Sequence, residues 1–426
     1  MSKKWLILIS IILMVAVMVF VIMLNPNLRE SLGLRLSQYY ARARTVLDPP
    51  EQVAFSGGDE TGAQATLLPG GGIEPLTPDP RAAQLTEPDF APVPPTFSIN
   101  GGTYFSQHNR WNYCGPAGIA MLASYWGWEG THDDAARLLR THTRDKNVMP
   151  YEMADFVRDE FGMGVVIRVG GDFDTLKRLI AAGFPVLIEK GPHFRDIHNE
   201  LTWMGHYQVL SGYHDAEGYF IAQDPYIEPD YHQSYDELVD EWRSFNYLYL
   251  VAYPPHLEND VLNLLGADAD ETANYRNALQ KAQGELYTTS GVQRFFAMFN
   301  YGTNLVALRD YAGAAEAYDQ AFVMYDALPE SRSVRPYRIL WYQTGPFFAY
   351  FYTGRYMDVI EKATRNSIEM VRDDIPALEE SWYWRGKAKL ATGDRAGGIK
   401  DLRTCLEYRN RFTPCMEALN EAGITP

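Results

Sequence analysis

The cysteine at position 114 stands where an apolar helix is predicted to begin. It precedes Gly-Pro-Ala-Gly in the stretch QHNRWNYCGPAGIAMLASYW, which covers residues 107–126. The free N–H groups at the start of a helix stabilise a thiolate, and Gly115 and Pro116 both suit a first helical turn. The sequence therefore places Cys114 where a thiol would be activated as a nucleophile.

A nucleophilic thiol needs a base, and His206 is the strongest candidate for one. It stands in WMGHYQVLSGY directly before an apolar strand, and Gly205 leaves space beside it. Asp224 ends the next strand, in GYFIAQDPY. Two antiparallel strands joined by the turn HDAEG would bring both side chains together, where Asp224 could hold the imidazole tautomer. Taken singly, each residue is more often structural, so the prediction depends on their combination.

Residues 98–254 resemble the bacteriocin-processing family of papain-like cysteine peptidases, in the broad C39-like sense of a stand-alone domain. The matching features are a glutamine upstream of YCGPAG, the strand GFPVLIEK, and the segments GHYQVLSGY and GYFIAQDPY. The family supplies cysteine, histidine and aspartate in this order, and its upstream glutamine donates to the oxyanion. The resemblance implies Cys114 as nucleophile, His206 as base and acid, Asp224 as its orienting partner, and Gln107 beside the oxyanion.

The elements around these residues predict an α+β domain with a mostly antiparallel sheet. Helix-like stretches come first, in CGPAGIAMLASYWGW, HDDAARLLRTH, MPYEMADFVRDEFG and DFDTLKRLIAAG. Short β-rich runs come next, in FPVLIEK, HYQVLSGYH, GYFIAQDPY and YLYLVAYPP. Together with the resemblance, this order indicates a papain-like α+β peptidase domain over residues 98–256.

The strand pattern stops after this domain, and residues 257–426 are predicted to be helical throughout. Three stretches of this region align on Arg309, Gly354 and Gly393, each placed in a turn between two helices. The pattern resembles tetratricopeptide-like helix–turn–helix repeats, with a spacing longer than the usual ~34 residues. A protein partner is expected to bind such repeats. A generic helical bundle is the alternative.

The N-terminal part of the chain carries an apolar run and a proline-rich segment. Residues 5–24 are uncharged and long enough to cross ~30 Å of hydrocarbon as a helix, so residues 1–47 are predicted to be a single-pass membrane anchor with a juxtamembrane segment. A cleaved signal peptide is the alternative. Residues 48–97 are rich in proline and glycine and are predicted to be a disordered linker.

The charged residues around the apolar run give conflicting indications of the orientation in the membrane. The arginines after the apolar run favour a cytoplasmic C-terminus, whereas the short N-terminal tail with Lys3 and Lys4 is typical of a signal anchor that exports the rest of the chain. We expect an extracytoplasmic catalytic domain.

Composition and charge exclude several other roles. The net charge is −16, with 54 acidic against 38 basic residues, so a nucleic acid would be repelled and is not an expected partner. Cys405 and Cys415 could pair, but two reduced core thiols are expected. No cofactor is expected. Neither is a metal, because the polar segment GPHFRDIHNELTWMG lacks the HExxH-type spacing of a metal site, although it carries His193, Asp196, His198 and Glu200.

These features predict a membrane-anchored cysteine peptidase that hydrolyses peptide bonds through Cys114, His206 and Asp224. Its substrate would be a peptide or protein, and the helical repeats would recruit a protein to it. Two alternatives stay open. The same three residues could serve an acyl transferase or a deamidase, since these reactions differ only in the acceptor or the bond attacked. The domain could also be a catalytically inactive, peptidase-like scaffold.

Overall fold

The protein is described by a computed structural model over residues 90, 92–108, 110, 112–196, 199–370 and 376–426. The predicted anchor over residues 1–47 and nearly all of the predicted linker lie outside the described residues. Within the described ranges, no helix has the length and hydrophobicity that crossing a membrane requires. Of the described chain, Phe194–Leu201 form part of a separate unit, and the residues on either side of that segment belong to one compact unit.

The first region of the described chain is a domain of helices and strands, as predicted. Its strands are β1 (Thr96–Ser98), β2 (Gly164–Arg168), β3 (Val186–Lys190), β4 (His193–Arg195), β5 (Leu201–Trp203), β6 (His206–His214), β7 (Tyr219–Gln223), β8 (Tyr231–Ser234) and β9 (Tyr249–Tyr253). Its helices are α1 (Cys114–Ser124), α2 (His132–Leu139), α3 (Pro150–Phe161), α4 (Phe173–Ala181) and α5 (Tyr235–Arg243).

The main sheet is antiparallel, with the strand order β2-β9-β3-β6-β7-β8 and with β1 paired to β6. Thr96 and Phe97, which fall within the predicted linker, are the first residues of β1 because their backbone pairs with His214 and Tyr213. The sheet therefore begins slightly earlier in the chain than the predicted boundary.

The register between β3 and β6 decides which side chains meet. Lys190 lies opposite His206, and Glu189 lies opposite Tyr207. Directly opposed residues of an antiparallel pair project from the same face, so Lys190 and His206 share one face of the sheet at the start of β6. The register thus brings a cation to the strand end that carries the predicted base.

Helix α1 begins at Cys114 and packs closely on the sheet. Its residues from Gly115 to Ser124 are all buried. A Cβ at Gly118 would lie 3.1 Å from Cδ1 of Leu187 on β3, so a larger residue at this position would push the helix away from the sheet. This close packing fixes the first turn of α1, and with it the half-buried Cys114, relative to the strand ends.

The second region is all-helical over the described residues that come after β9, as predicted. Short 3-10 turns lie on either side of helix α6 (Glu258–Leu265), and helix α7 (Glu271–Thr288) follows the second turn. The α-helices that come next are α8 (Gly291–Ala307), α9 (Tyr311–Asp326), α10 (Ile339–Tyr342), α11 (Gly345–Tyr352), α12 (Tyr356–Ala363), α13 (Glu379–Ala391), α14 (Arg395–Tyr408) and α15 (Thr413–Glu421).

Three helix pairs of this region turn at the residues on which the sequence aligns. Arg309, Gly354 and Gly393 have φ angles of 64°, 76° and 90°, in the left-handed region that reverses a chain at the end of a helix. In each case a new helix begins two residues later, at α9, α12 or α14. The aligned positions therefore mark equivalent helix–turn–helix units.

The two regions share a hydrophobic core. Trp203 of β5 is 1% exposed and belongs to the core cluster of the helical region. Its ring centroid lies 5.5 Å from that of Phe245, and 5.7 Å from those of Phe296 on α8 and Tyr342 on α10. Nδ2 of Asn246 also donates a hydrogen bond to Oδ1 of Asn304 at 2.7 Å. The change from strands to helices falls near residue 256, but the packing does not divide there.

Polar contacts with α3 join the two regions at a second place. Arg409 forms ion pairs with Glu152 of α3 and with Glu379 of α13, and Oη of Tyr151 donates to Glu380 at 2.8 Å. The helical region is therefore held to the first domain by both apolar and ionic contacts.

We predict that a chain ending at residue 256 does not fold. Without the helical region, Trp203 and Phe245 lose the aromatic side chains that bury them, and losses of buried aromatic packing cost about 3–5 kcal/mol at a single position. Circular dichroism and urea unfolding of the fragment 92–256 would measure this. A chain of residues 92–426 is the control and should unfold cooperatively. Cooperative unfolding of the shorter fragment would contradict the shared core.

The expectation of two reduced thiols in the helical region was wrong. Cys405 and Cys415 form a disulfide, while Cys114 is free. Cys405 lies in the last turn of α14 and Cys415 in the first turn of α15, and the tight connection between these helices places the two side chains together. Spacing along the chain could not establish this, because the proximity depends on how the two helices meet.

Thiol titration tests this bond. In denaturant, the chain should give one free thiol before reduction and three after it, and Cys114→Ser should give none before reduction and two after it. Reduction should lower the free energy of unfolding by about 3 kcal/mol, because a short loop is no longer closed in the unfolded chain. Three thiols in the unreduced chain would show that the bond does not form.

Candidate active site

The base predicted from the sequence and its orienting partner are adjacent in the structure. His206 is the first residue of β6, and Asp224 directly follows β7, its antiparallel neighbour. Nε2 of His206 lies 2.8 Å from Oδ1 of Asp224, and the two residues are 2% and 0% exposed. The strand pairing expected from the sequence therefore produces a direct, fully buried hydrogen bond.

Nε2 of His206 is held by Asp224, so Nδ1 is the ring nitrogen that is left for the thiol of Cys114. Burial on its own lowers the pKa of His206, but the charge and hydrogen bond of Asp224, and those of Cys114, outweigh it and raise this pKa to about 9. At neutral pH the ring is then an imidazolium, the form that stabilises a neighbouring thiolate.

Asp224 is held as an anion by several donors. Its Oδ1 accepts backbone N–H groups from Tyr226 at 2.9 Å and from Ile227 at 3.0 Å, which is the turn geometry that an aspartate before proline favours. Burial raises the pKa of Asp224, but His206, Lys190 and the amide of Tyr226 bring it below its usual value. The carboxylate therefore stays charged beside the imidazolium.

Lys190 is a member of this site that the sequence analysis missed. It is 1% exposed, and its Nζ lies 3.9 Å from Oδ2 of Asp224 and 3.1 Å from Oε2 of Glu241. It also donates a hydrogen bond to Oε1 of Gln233. The signal in the sequence was a lysine at the end of the buried strand FPVLIEK, because a charge in such a strand requires partners. Which partners it finds depends on the fold.

Gln107 lies next to the same turn. Its backbone N–H donates to the carbonyl of Pro225 at 2.7 Å, and Oη of Tyr104 donates to the carbonyl of Asp224 at 2.9 Å. Gln107 is 9% exposed, and its Oε1 is buried with no hydrogen-bond partner among the described residues. The structure thus anchors the glutamine beside Asp224 through its backbone and leaves its side-chain oxygen unbonded within the described part of the chain.

The polar segment between β3 and β6 does not form a metal site in the part that is described. Asp196 and Glu200 are joined to one another, as the N–H of each donates to an oxygen of the other, at 2.9 Å and 3.1 Å. His198 lies outside the described residues. Across the described ranges, no group of three or more His, Cys, Asp and Glu side chains is arranged to hold a metal ion.

The comparisons with known proteins concern this domain. Residues 99–250 match the family model described as the Peptidase_C39 like family. A crystal structure from Bacillus anthracis, of a protein described as a C39-like peptidase, aligns with 37% of this chain and 96% of its own at 13% sequence identity, with a TM-score of 0.30. No curated protein matches the chain.

The matched range contains Cys114, His206 and Asp224. The resemblance seen in the sequence is therefore confirmed for this domain, which has the C39-like peptidase fold.

Lys190 should matter for stability as well as for the site. In Lys190→Met, Asp224 and Glu241 lose a buried cation, and removing one partner of a buried ion pair costs about 3–5 kcal/mol of unfolding free energy. Urea unfolding would measure this loss. Arg158→Met is the matched control, because both side chains of its pair with Asp155 are more than half exposed, and the pair should contribute about 1 kcal/mol or less. Equal losses in the two variants would argue against a special role for Lys190.

Proposed function

We propose that this protein is a papain-like cysteine peptidase that hydrolyses peptide bonds in peptides or proteins. The observation that carries the proposal is the buried hydrogen bond between His206 and Asp224, together with the influence of Cys114 on the pKa of His206. It is supported by the match of residues 99–250 to the C39-like peptidase family. A buried imidazole that bonds a carboxylate on one nitrogen and a thiol on the other suits acyl transfer by a thiolate.

The proposed reaction has two halves. In the first, the thiolate of Cys114 bonds to the carbonyl carbon, the C–N bond breaks, and the imidazolium of His206 gives its proton to the departing amine. In the second, His206 takes a proton from water, the resulting hydroxide bonds to the thioester carbon, and the C–S bond breaks. This step releases a carboxylic acid and restores the thiolate and the imidazolium. Asp224 holds the imidazole and stabilises its charge throughout. We propose that the side-chain amide of Gln107 donates to the oxyanion in both halves.

The first test is the reactivity of Cys114 as a function of pH. Because the pKa of His206 is about 9, the imidazolium should persist at pH 6–8, and iodoacetamide should alkylate Cys114 rapidly in that range. Asp224→Asn should slow labelling at pH 7 by at least about tenfold, the factor for one pKa unit. Mass spectrometry of the alkylated chain would follow the rate.

The controls separate this pair from an ordinary thiol. His206→Gln should lose the rapid labelling, whereas His214→Gln, at the other end of β6, should label at the wild-type rate. If His206→Gln labels as fast as the wild type, His206 is not the base. That result would favour the alternative of an inactive, peptidase-like scaffold.

Product analysis distinguishes a peptidase from the other acyl-transfer enzymes. Hydrolysis splits a peptide and adds the elements of water, deamidation releases ammonia without splitting the chain, and transfer forms a new amide. Gln107→Ala should lower kcat by about 10²–10³-fold while Cys114 labelling is unchanged. An unchanged kcat would remove Gln107 from the proposed mechanism.

We also propose that the catalytic domain is extracytoplasmic and is anchored through residues 5–24. The support within the described chain is the disulfide between Cys405 and Cys415, since such bonds persist mainly in oxidising compartments. The apolar run itself supports a single-pass helix through its length and lack of charge.

The helical region is proposed to resemble tetratricopeptide repeats and to recruit a protein. The three equivalent turns at Arg309, Gly354 and Gly393 support a repeated unit. Because this region shares a core with the catalytic domain, recruitment must be tested by substitutions on its surface. Tyr352 and Met357, which are 57% and 67% exposed, are the positions to substitute.

A further inference from the structure

The helical region places one of its side chains against the residue that precedes His206. Tyr342 is the last residue of α10, and its ring lies against Gly205, the residue before His206. A Cβ at Gly205 would lie 2.9 Å from Cδ1 and 3.0 Å from Cε1 of Tyr342. The glycine therefore leaves the space that this ring requires, and a larger residue at position 205 would push the ring away from the start of β6.

Tyr342 is held firmly in this position. Its ring meets that of Trp203 at an interplanar angle of 74° and that of Phe245 at 66°, with centroids 5.7 Å and 5.8 Å apart. The next residue, Gln343, donates from Nε2 to the carbonyl of Ser244 at 2.6 Å. These contacts fix α10 against the first domain, while the tyrosine itself remains partly exposed.

The hydroxyl of Tyr342 belongs to the same electrostatic environment as the thiol. Burial is the main cause that raises its pKa, and the charge of Cys114 raises it further. Arg338 and a hydrogen bond from the amide of Gly205 act in the opposite direction. The hydroxyl is therefore protonated at neutral pH, and it lies within the field of the catalytic thiol.

We propose that Tyr342 forms the wall of the leaving-group side of the substrate site and selects apolar or aromatic side chains there. The inference rests on the proposed peptidase function. A departing amine must lie beside the imidazole that protonates it, so the residue after the scissile bond sits next to His206. Tyr342 packs against the neighbouring Gly205. Its aromatic face favours a residue with an apolar or aromatic side chain over glycine, which has no side chain.

The helical region thus contributes to specificity as well as to support. In such a peptidase, a second region supplies the leaving-group subsite. The choice of substrate therefore depends on how that region packs against the catalytic domain. The contacts of Trp203, Phe245 and Ser244 with α10 and the residue after it supply this docking.

Acyl transfer to added amines tests the subsite without a known peptide substrate. The full chain would be treated with p-nitrophenyl acetate, so that the Cys114 sulfur takes the acetyl group and p-nitrophenol leaves. An added amino acid amide then competes with water. When the amine attacks, its nitrogen bonds to the carbonyl carbon, the C–S bond breaks, and one amine proton passes through His206 to the sulfur.

The measured quantity is the yield of acetylated phenylalaninamide relative to acetylated glycinamide at equal concentrations. The wild type should favour phenylalaninamide by about tenfold, the lower end of what an apolar pocket discriminates. Tyr342→Ala should bring the ratio to within about twofold of unity. Tyr287→Ala, at a tyrosine of the same region that is 66% exposed, should retain the wild-type ratio. The ratio is internal to each variant, so it does not depend on how fast the thioester forms.

A second variant guards against a loss of folding. Tyr342→Leu keeps apolar bulk against Trp203 and should shift the preference from phenylalaninamide towards leucinamide by about threefold or more. A wild-type ratio in Tyr342→Ala or an unshifted preference in Tyr342→Leu would overturn the proposal for Tyr342, while p-nitrophenol release that depends on Cys114 would still support the peptidase. If the wild type releases no more p-nitrophenol than Cys114→Ser, the proposed function fails, and the subsite fails with it.

Discussion

The hydrogen bond between His206 and Asp224 depends on a carboxylate that is wholly removed from water. An isolated buried anion is very unfavourable, so Asp224 requires compensation from several directions. The imidazole lies 2.8 Å away, two backbone N–H groups donate from the turn after Asp224, and the ammonium of Lys190 lies 3.9 Å away. These donors come from β3, β6 and the end of β7. The strand register is therefore a condition for the chemistry, because a slip of one residue would send Lys190 to the opposite face.

A short segment of the chain connects the site to the helical region. Trp203 is buried in the core of that region, Gly205 lies against the ring of Tyr342, and His206 bonds Asp224. Packing in the helical core and the position of the imidazole are therefore linked through three residues of backbone. Sites at the junction of two packed regions are common, since the junction supplies a cleft with walls of different origin. In the proposed site, the first domain carries the reacting groups and the helical region contributes the aromatic side chain of Tyr342.

Many features of the fold and the site could be predicted from the sequence because local rules govern them. The start of α1 at Cys114 is favoured by Gly115 and Pro116, and the paired strand ends result from a short turn between two apolar runs. The alignment on Arg309, Gly354 and Gly393 found three real turns, since the end of a helix is determined by nearby residues. In each case the residues that decide the structure are close together in the chain.

The sequence by itself thus determined the order of the elements and the positions of the cysteine, histidine and aspartate at helix and strand ends. Only the tertiary structure decided that Lys190 faces Asp224, that Cys405 bonds Cys415, and that Tyr342 reaches Gly205. The physical reason is that burial and proximity between separate elements depend on the packing of the whole unit. A lysine in a strand, two nearby cysteines and a tyrosine at the end of a short helix are each compatible with many arrangements. Close packing of the two regions selects one of them.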